Sequence, residues 1–443
     1  MQPKQQIGLF SFTMIVVSLV IGMGIFGSVS ASAKEAIAPS VYFSAWIIGG
    51  IITLFGALTL AEIGSRMPNT GGIYKVFSYA YHPSIAFAFN CIISVSNASA
   101  VGGIAIVGCN YLAKLFPQYQ FSNLQIVLAS SLIVMVFYGV NLLGIKTSSL
   151  IQNILMTIKI GMVLLLISCL FFTNDYAPQN ILQHTNTTTN NLSWIQSLGI
   201  CLIAVSFSYS GYQQTINFGN EIKNPTKNIP RAIFFGMAII IALYLLVTLS
   251  YYLVLGFDTI KNEKEIAFTL VNKVFGMAGA KVFTILIFIG ALAYVNVMLL
   301  SNPTVFYAMG QDGSLPKVFA KKNIKTEVTT LALSAFTAIV IVIIFFAKKF
   351  ETILNFSIFL DCFGMVANVA AIFIIRKRTQ NLDTRGIYTL KWLYPLAPII
   401  FIIAYLFVGI SITIADYKTA LVGLYVLVGF VLLYFLCKKK ALH

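Results

Sequence analysis

The sequence predicts an all-α integral membrane protein of about twelve transmembrane helices, and three observations predict it. Of its 443 residues, 58% are hydrophobic and only 9% charged, where a soluble domain runs at about 25% charged. The mean hydropathy is +0.89. Apolar runs long enough to cross a bilayer, roughly 20 residues, recur from end to end with no linker between them that divides the chain into soluble domains. This composition excludes a water-soluble enzyme, a nucleic-acid binder and a disordered chain. The net charge of +16 does not mark nucleic acid, because the basic residues sit in short connectors and not on one soluble face.

The first run, about 9–33, follows Lys4 and holds the glycine cluster from Gly22 to Gly27. It exceeds the roughly 7–15 apolar residues of a secretory leader, so Ala31-Ser32-Ala33 is not read as a cleavage site. The second, 39–65, ends at Arg66 and the breakers Pro68 to Gly72, which resist helical geometry or lack the donor. Runs at 84–113, 122–144 and 148–173 follow, separated by connectors with Lys114 and Lys146. A polar, Asn/Thr-rich connector, Asn174 to Asn191, precedes 193–218, and Asn224-Pro225 precedes 230–256. Between there and 279–308, the stretch from Asp258 to Gly279 mixes charges with Ile266, Phe268, Leu270 and Val271, which predicts an amphipathic helix at the protein's mouth. The last runs are 327–347, 351–375, 391–414 and 418–437.

Lys and Arg in the connectors set the orientation. With the N-terminus inside, 19 fall on the cytoplasmic side and 9 outside. A multi-pass protein of the cell's inner membrane with both termini cytoplasmic is expected. Two mid-membrane charges, Lys159 and Asp361, stand apart from this pattern.

Other motifs carry no chemistry. The six Cys are scattered singly without CxxC spacing, so neither a metal site nor a disulfide framework is suggested. Gly22 to Gly27 matches GxGxxG but sits inside a spanning run, without the βαβ unit that a dinucleotide site needs. HExxH and GxSxG are absent, and no cofactor is expected.

Function is read from two interrupted helices. Gly22-Met23-Gly24 breaks the first run, and Phe207-Ser208-Tyr209-Ser210-Gly211 places small and polar residues in the sixth. Each opens a block of five helices, and interrupted helices at matching positions of two halves point to a transporter site. Unwinding frees N–H and C=O groups that cannot stay unpaired in hydrocarbon. Freed N–H groups at a helix N-terminus suit a carboxylate, and freed carbonyls suit an ammonium. An α-amino acid carries both.

At these residues the chain resembles the amino acid–polyamine–organocation superfamily. Gly22-Met23-Gly24-Ile25-Phe26 is similar to its first-helix GSGIF, with Met23 for serine; Ala61-Glu62-Ile63-Gly64 and Pro68 to Tyr74 are similar to its "AELG…P-x-x-GG-x-Y". Glu221-Ile222-Lys223-Asn224-Pro225 with Ile229-Pro230-Arg231-Ala232-Ile233 resembles "EEIKNP…IPRAI", and Tyr307 to Pro316 resembles "YAMGRDGLLP". The resemblance implies an inverted-repeat fold of the leucine-transporter type: repeats at 1–173 and 193–376, and two added helices at 389–437. It implies an amino-acid substrate whose carboxylate meets N–H groups around Gly22, Met23 and Gly24. The amine would meet carbonyls near Val20, Phe207 and Ser210, with Phe207 and Tyr209 capping or lining the site.

Lys159 lies about 11 residues into the fifth helix, roughly 16 Å from its nearer end, too deep to snorkel without a partner. By the resemblance it replaces a sodium site and tethers the first helix, which implies sodium independence and either proton coupling or exchange. Asp361 has no counterpart in the family pattern. It pairs with Lys159, carries a proton, meets a cationic substrate or is locally hydrogen-bonded. Glu62 and Glu221, near helix ends, are expected to hold gate contacts. Asn97, Asn296 and Asn302 form polar stripes that either select substrate or bond helix to helix. Ser208, Ser210 and Gly211 leave room while Met23, Phe207 and Tyr209 are apolar or aromatic, which leans toward neutral amino acids. A polyamine or other organic-amine carrier is the alternative.

Overall fold

The computed structural model describes residues 7–22, 24–68, 72–116, 118–173, 175–177, 193–263, 265–346, 350–380, 386–415 and 417–440. Met23 and nearly all of the Asn174–Asn191 connector lie outside them. The described residues fold into α1 (Leu9–Val20), α2 (Gly24–Glu35), α3 (Pro39–Arg66), α4 (Gly72–Ala80), α5 (Pro83–Ala113), α6 (Asn123–Leu142), α7 (Ile145–Phe172) and α8 (Trp194–Ser208). There follow α9 (Pro225–Leu255), α10 (Phe257–Asn262), α11 (Ile266–Gln311), α12 (Thr330–Phe345), α13 (Phe350–Arg378), α14 (Leu396–Ala415) and α15 (Tyr417–Lys440).

Local chemistry sets the helix starts. Pro39, Pro83 and Pro225 stand at first-turn positions, where a missing N–H costs nothing. Ser122 and Ser193 close capping boxes with Gln125 and Gln196, so each side chain satisfies a backbone donor that the helix leaves unpaired. Among the described residues, seven segments are long and apolar enough to cross a membrane: α3, α5, α6, α7, α9, α11 and Trp194–Asn217. Every expected span coincides with helix, but α12 is only 16 residues long and α1 only 12.

Two expectations need correcting. The outer amphipathic stretch is two pieces and not one helix: α10, then the opening of α11 as far as Gly276. That glycine's φ of 66° and ψ of −173° turn the chain before the spanning part, a conformation costly for other residues. Ile266, Leu270 and Val271 are the buried face of the outer piece. The sixth span, read as one run over 193–218, stops as an α-helix at Ser208 and resumes as a 3-10 helix over Tyr212–Asn217.

The helices pack in two sets. In one, α3 lies along α9 and α8, α1 along α9, and α2 along α8. In the other, α5, α6, α11 and α12 pack together, with α7 running along both α11 and α9. The two broken segments sit where the sets meet.

Gly211 shows how tight that meeting is: its φ is +109°, and a Cβ there would stand 2.2 Å from the Leu19 carbonyl oxygen. Gly211→Ala combines that overlap with left-handed strain of roughly 1–3 kcal/mol. A lower melting temperature in detergent is expected than for Gly429→Ala, a site with nothing within 4 Å. Equal melting of the two variants would contradict the close approach.

Candidate functional site

The two breaks face each other antiparallel. Leu19, before the first break, lies against Gly211, after the second. Gly24, after the first, lies against Ser208, before the second, with its Cβ position 3.0 Å from the Ser208 Cα. Small residues at these four-way crossings let two unwound backbones touch, so each can supply what the other lacks.

The freed backbone groups can be followed one by one. The Val20 carbonyl accepts from the Gly22 N–H at 2.7 Å and the Tyr244 hydroxyl at 3.2 Å. The Ile21 carbonyl accepts from the Lys159 ammonium. The Phe207 carbonyl accepts from the Ser210 N–H at 3.3 Å and the Ser210 hydroxyl at 2.8 Å. A carbonyl has two lone pairs, so the Val20 and Phe207 oxygens, expected to hold an amine, already have two donors each in this conformation. The donor side differs. The leading N–H groups of α2, from Gly24 onward, have no acceptor within their own helix, and they lie at its positive dipole end. The break therefore presents donors suited to an anionic group.

Beside the breaks lies a cavity of about 470 Å³. Val20, Gly22, Gly24, Asn97, Phe207, Ser210 and Asp361 line it. Phe207 is 47% exposed and adds aromatic surface to the wall. Tyr209, expected to line the site, is instead fully buried behind it. It packs on Trp46 and Tyr244 at ring distances of 5.8 and 5.2 Å, its hydroxyl directed at the Trp46 carbonyl. The residue follows α8 by one position, and the turn there aims its ring into the aromatic core. Met23 is outside the described residues.

Asn97 donates to Asn302 at 2.7 Å and accepts from Gln214 at 3.2 Å. It serves helix-to-helix bonding and also faces the cavity, so the two readings of that stripe are compatible. Ser301 reaches Gln214 at 3.4 Å, joining α5, the 3-10 turn and α11.

Lys159, on α7, is 2% exposed. It lies in a separate small void against Gly22, Met162, Ile287 and Tyr294. It forms no ion pair with Asp361, which removes one of the four readings of that acid. Near it runs a buried amide chain that sequence reasoning missed in part. Asn141 donates to Asn296 at 3.0 Å, Asn296 to Gln152 at 2.7 Å, and Gln152 to the Ser18 hydroxyl at 2.6 Å. This chain links α6, α11, α7 and α1. Its signal was an Asn or Gln inside a spanning helix, noticed for Asn296 but not for Asn141 or Gln152.

Glu62 and Glu221 lie away from the cavity, at the end of the bundle where α1 begins. The Glu62 carboxylate is fully buried. It accepts from Arg66 at 2.8 Å, from Arg376 at 2.8 and 2.7 Å, and from the Leu390 N–H at 2.8 Å. Arg376 also stacks 3.6 Å from the Tyr394 ring centroid. Glu221 stands 3.8 Å from Lys322. Next to it, Ile7 forms a parallel bridge: its N–H donates to the Glu221 carbonyl and its carbonyl accepts from Lys223. Tyr74 meets Ser314 at 2.7 Å and Lys75 meets Asp312 at 2.5 Å, so this end is closed by polar contacts between α3, α4, α11, α13 and the N-terminus.

Comparison with known proteins agrees with this architecture. The chain is 29% identical to the serine/threonine exchanger SteT of Bacillus subtilis, over 96% of this chain and 94% of that one. It is 24% identical to the human large neutral amino acids transporter small subunit 2, over 86% of this chain and 71% of that one. To the mouse b(0,+)-type amino acid transporter 1 it is 23% identical, over 86% and 78%. The family model described as amino acid permease matches residues 7–434, and the chain belongs to that family.

Proposed function

We propose that the protein is a secondary amino-acid transporter that works by alternating access, independent of sodium, as a proton-coupled symporter or an amino-acid exchanger. The observation that carries this reading is the antiparallel meeting of two broken helices beside a cavity of about 470 Å³. The leading N–H groups of α2, which have no acceptor within their own helix, suit a carboxylate, and a half-helix break is the membrane form of a helix-terminus anion site. The relatives are named for amino acids, which favours an amino-acid substrate over the polyamine alternative. The chain would cross the inner membrane about twelve times with both termini cytoplasmic. Its five-helix repeats would fall at 1–173 and 193–376, with helices added at 389–437. The antiparallel crossing of the two breaks supports that inverted relation.

In this reading Gly22, Met23 and Gly24 hold the substrate carboxylate. The Val20 and Phe207 carbonyls exchange their present donors for the substrate amine, the Ser210 carbonyl meets the same amine, and Asn97 shapes the wall. The Lys159 ammonium occupies the position of a coupling cation and steadies the end of α1 through Ile21. Glu62 and Glu221 hold the cytoplasmic gate. Because the polar contacts lie at that end, the conformation described is closed toward the cytoplasm.

Reconstitution in liposomes tests the function: labelled amino-acid uptake is measured with a proton gradient, a sodium gradient, or internal amino acid. Uptake in the first or third condition is expected. Silence in all three sinks the reading, and a strict need for sodium sinks the role given to Lys159.

Two variants probe the parts. Lys159→Met keeps the bulk of the side chain and removes its charge; transport at least tenfold slower is expected, with the fold retained by melting in detergent. Ordinary transport would make the lysine merely structural. Glu62→Gln leaves two arginines facing a neutral amide. Removing one partner of a buried pair costs roughly 3–5 kcal/mol, less here because Arg376 is partly exposed. A clearly lowered melting temperature is expected, and an unchanged one would show that Glu62 does not hold this end closed.

A further inference from the structure

Asp361, on α13, is the single charged residue among the described residues that line the large cavity. No hydrogen bond or ion pair from its carboxylate is made to any described residue, and Lys159 lies in its own void. An ionised carboxylate in the membrane interior is costly unless a cation or donors compensate it. The cavity wall around it supplies neither a lysine nor an arginine. The cavity lining leaves that compensation to a proton or to a cation from outside the chain.

The surroundings indicate what kind of cation. Tyr294 and Tyr405 line the same cavity and lie near enough to interact electrostatically with Asp361. The Tyr405 hydroxyl is buried without a hydrogen-bond partner among the described residues. Aromatic faces beside a carboxylate suit an ammonium or guanidinium, and the free phenol offers a further polar contact. Ile92, Ile93 and Val408 line the same cavity and give it apolar wall, which fits a methylene stem. The volume of about 470 Å³ lies in the range of roughly 300–1,000 Å³ that holds drug-sized ligands, larger than serine or threonine requires.

We propose that Asp361 is a specificity-determining residue that recognises the cationic end of a long-side-chain α-amino acid, of the lysine, ornithine or arginine kind. The α-carboxylate sits at the N-terminus of α2, the stem runs along the apolar wall, and the charged tip ends at Asp361 and Tyr405. This rests on the transporter reading above and deepens it. It differs from the lean toward neutral substrates, which weighed the break residues alone.

The test measures uptake of labelled L-lysine, L-arginine, L-serine and L-leucine into proteoliposomes loaded with the same unlabelled amino acids. Wild type is expected to move lysine or arginine, and Asp361→Asn to lower the kcat/KM ratio of cationic to neutral substrate at least tenfold. Asp361→Glu should keep most of that ratio, which separates charge from folding. Wild type that carries serine or leucine but neither cation overturns the inference and leaves the transporter reading standing. A protein that carries none of the four fails at the earlier reading instead. Loss of all substrates in equal proportion in Asp361→Asn, with Asp361→Glu no better, makes the acid structural. Equal loss that appears only under a proton gradient makes it a proton carrier; each of these two results also overturns the proposal.

Discussion

A backbone polar group in hydrocarbon must have a partner, and this constraint shapes the whole centre of the molecule. Two helices are interrupted at the same depth, so carbonyls and N–H groups are freed where water cannot solvate them. The carbonyls find donors close by: Gly22 and Tyr244 for Val20, Lys159 for Ile21, Ser210 for Phe207. Each donor is in turn fixed by packing. Tyr244 is held in the aromatic group with Trp46 and Tyr209, and Lys159 by the walls of its small void. The crossing of the breaks then requires glycine at 211 and a small residue at 24, since a larger one would push the two backbones apart and leave both unsatisfied.

The same constraint divides the first broken helix between two surroundings. α1 is tied to α7 through Ser18 and Gln152, and onward to α11 and α6 through Asn296 and Asn141. α2 is tied elsewhere: Ser30 donates to the Glu263 carbonyl, Ser197 to the Glu35 carbonyl, and Cys201 to the Ser32 carbonyl. One half packs on α9 and is bonded to α7, and the other packs on α8 and is bonded to the outer loop. The two halves therefore have different bonding partners on either side of a few unwound residues, the kind of place that can absorb a φ/ψ change. The buried amides make the anchorage specific, since each tolerates only the register in which its partner is present.

Most of the fold was legible because it is governed by local signals. Apolar length marked the spans, and proline, glycine and Ser-x-x-Gln patterns marked their ends. Both breaks were visible as glycine and serine where apolar residues belong. What escaped notice depends on rotation and not on position along the chain. Tyr209 could be placed at the sixth-helix break by sequence, but only the turn that follows Ser208 decides that its ring enters the core. Asn141 and Gln152 are ordinary polar residues in sequence; their meaning comes from helices 4, 5 and 8 of the expected order converging on Ser18. The occupancy of the Val20 carbonyl by Tyr244 was likewise out of reach, since 224 positions separate the two residues.

The two mid-membrane charges, read as anomalies of one kind, turn out to be solved in opposite ways. Lys159 is compensated inside the protein, by the carbonyl at the end of α1. Asp361 is open to the cavity. Gly22 and Tyr294 belong to the walls of both spaces, so a single layer of protein separates the lysine's void from the cavity. The α2 N-terminus and Asp361 bring opposite charge to the walls of one cavity, so the cavity has a polarity. In a low-dielectric interior such a field acts over several ångströms with little screening. A zwitterion entering it meets a preferred direction, carboxylate toward the break, before any hydrogen bond is made.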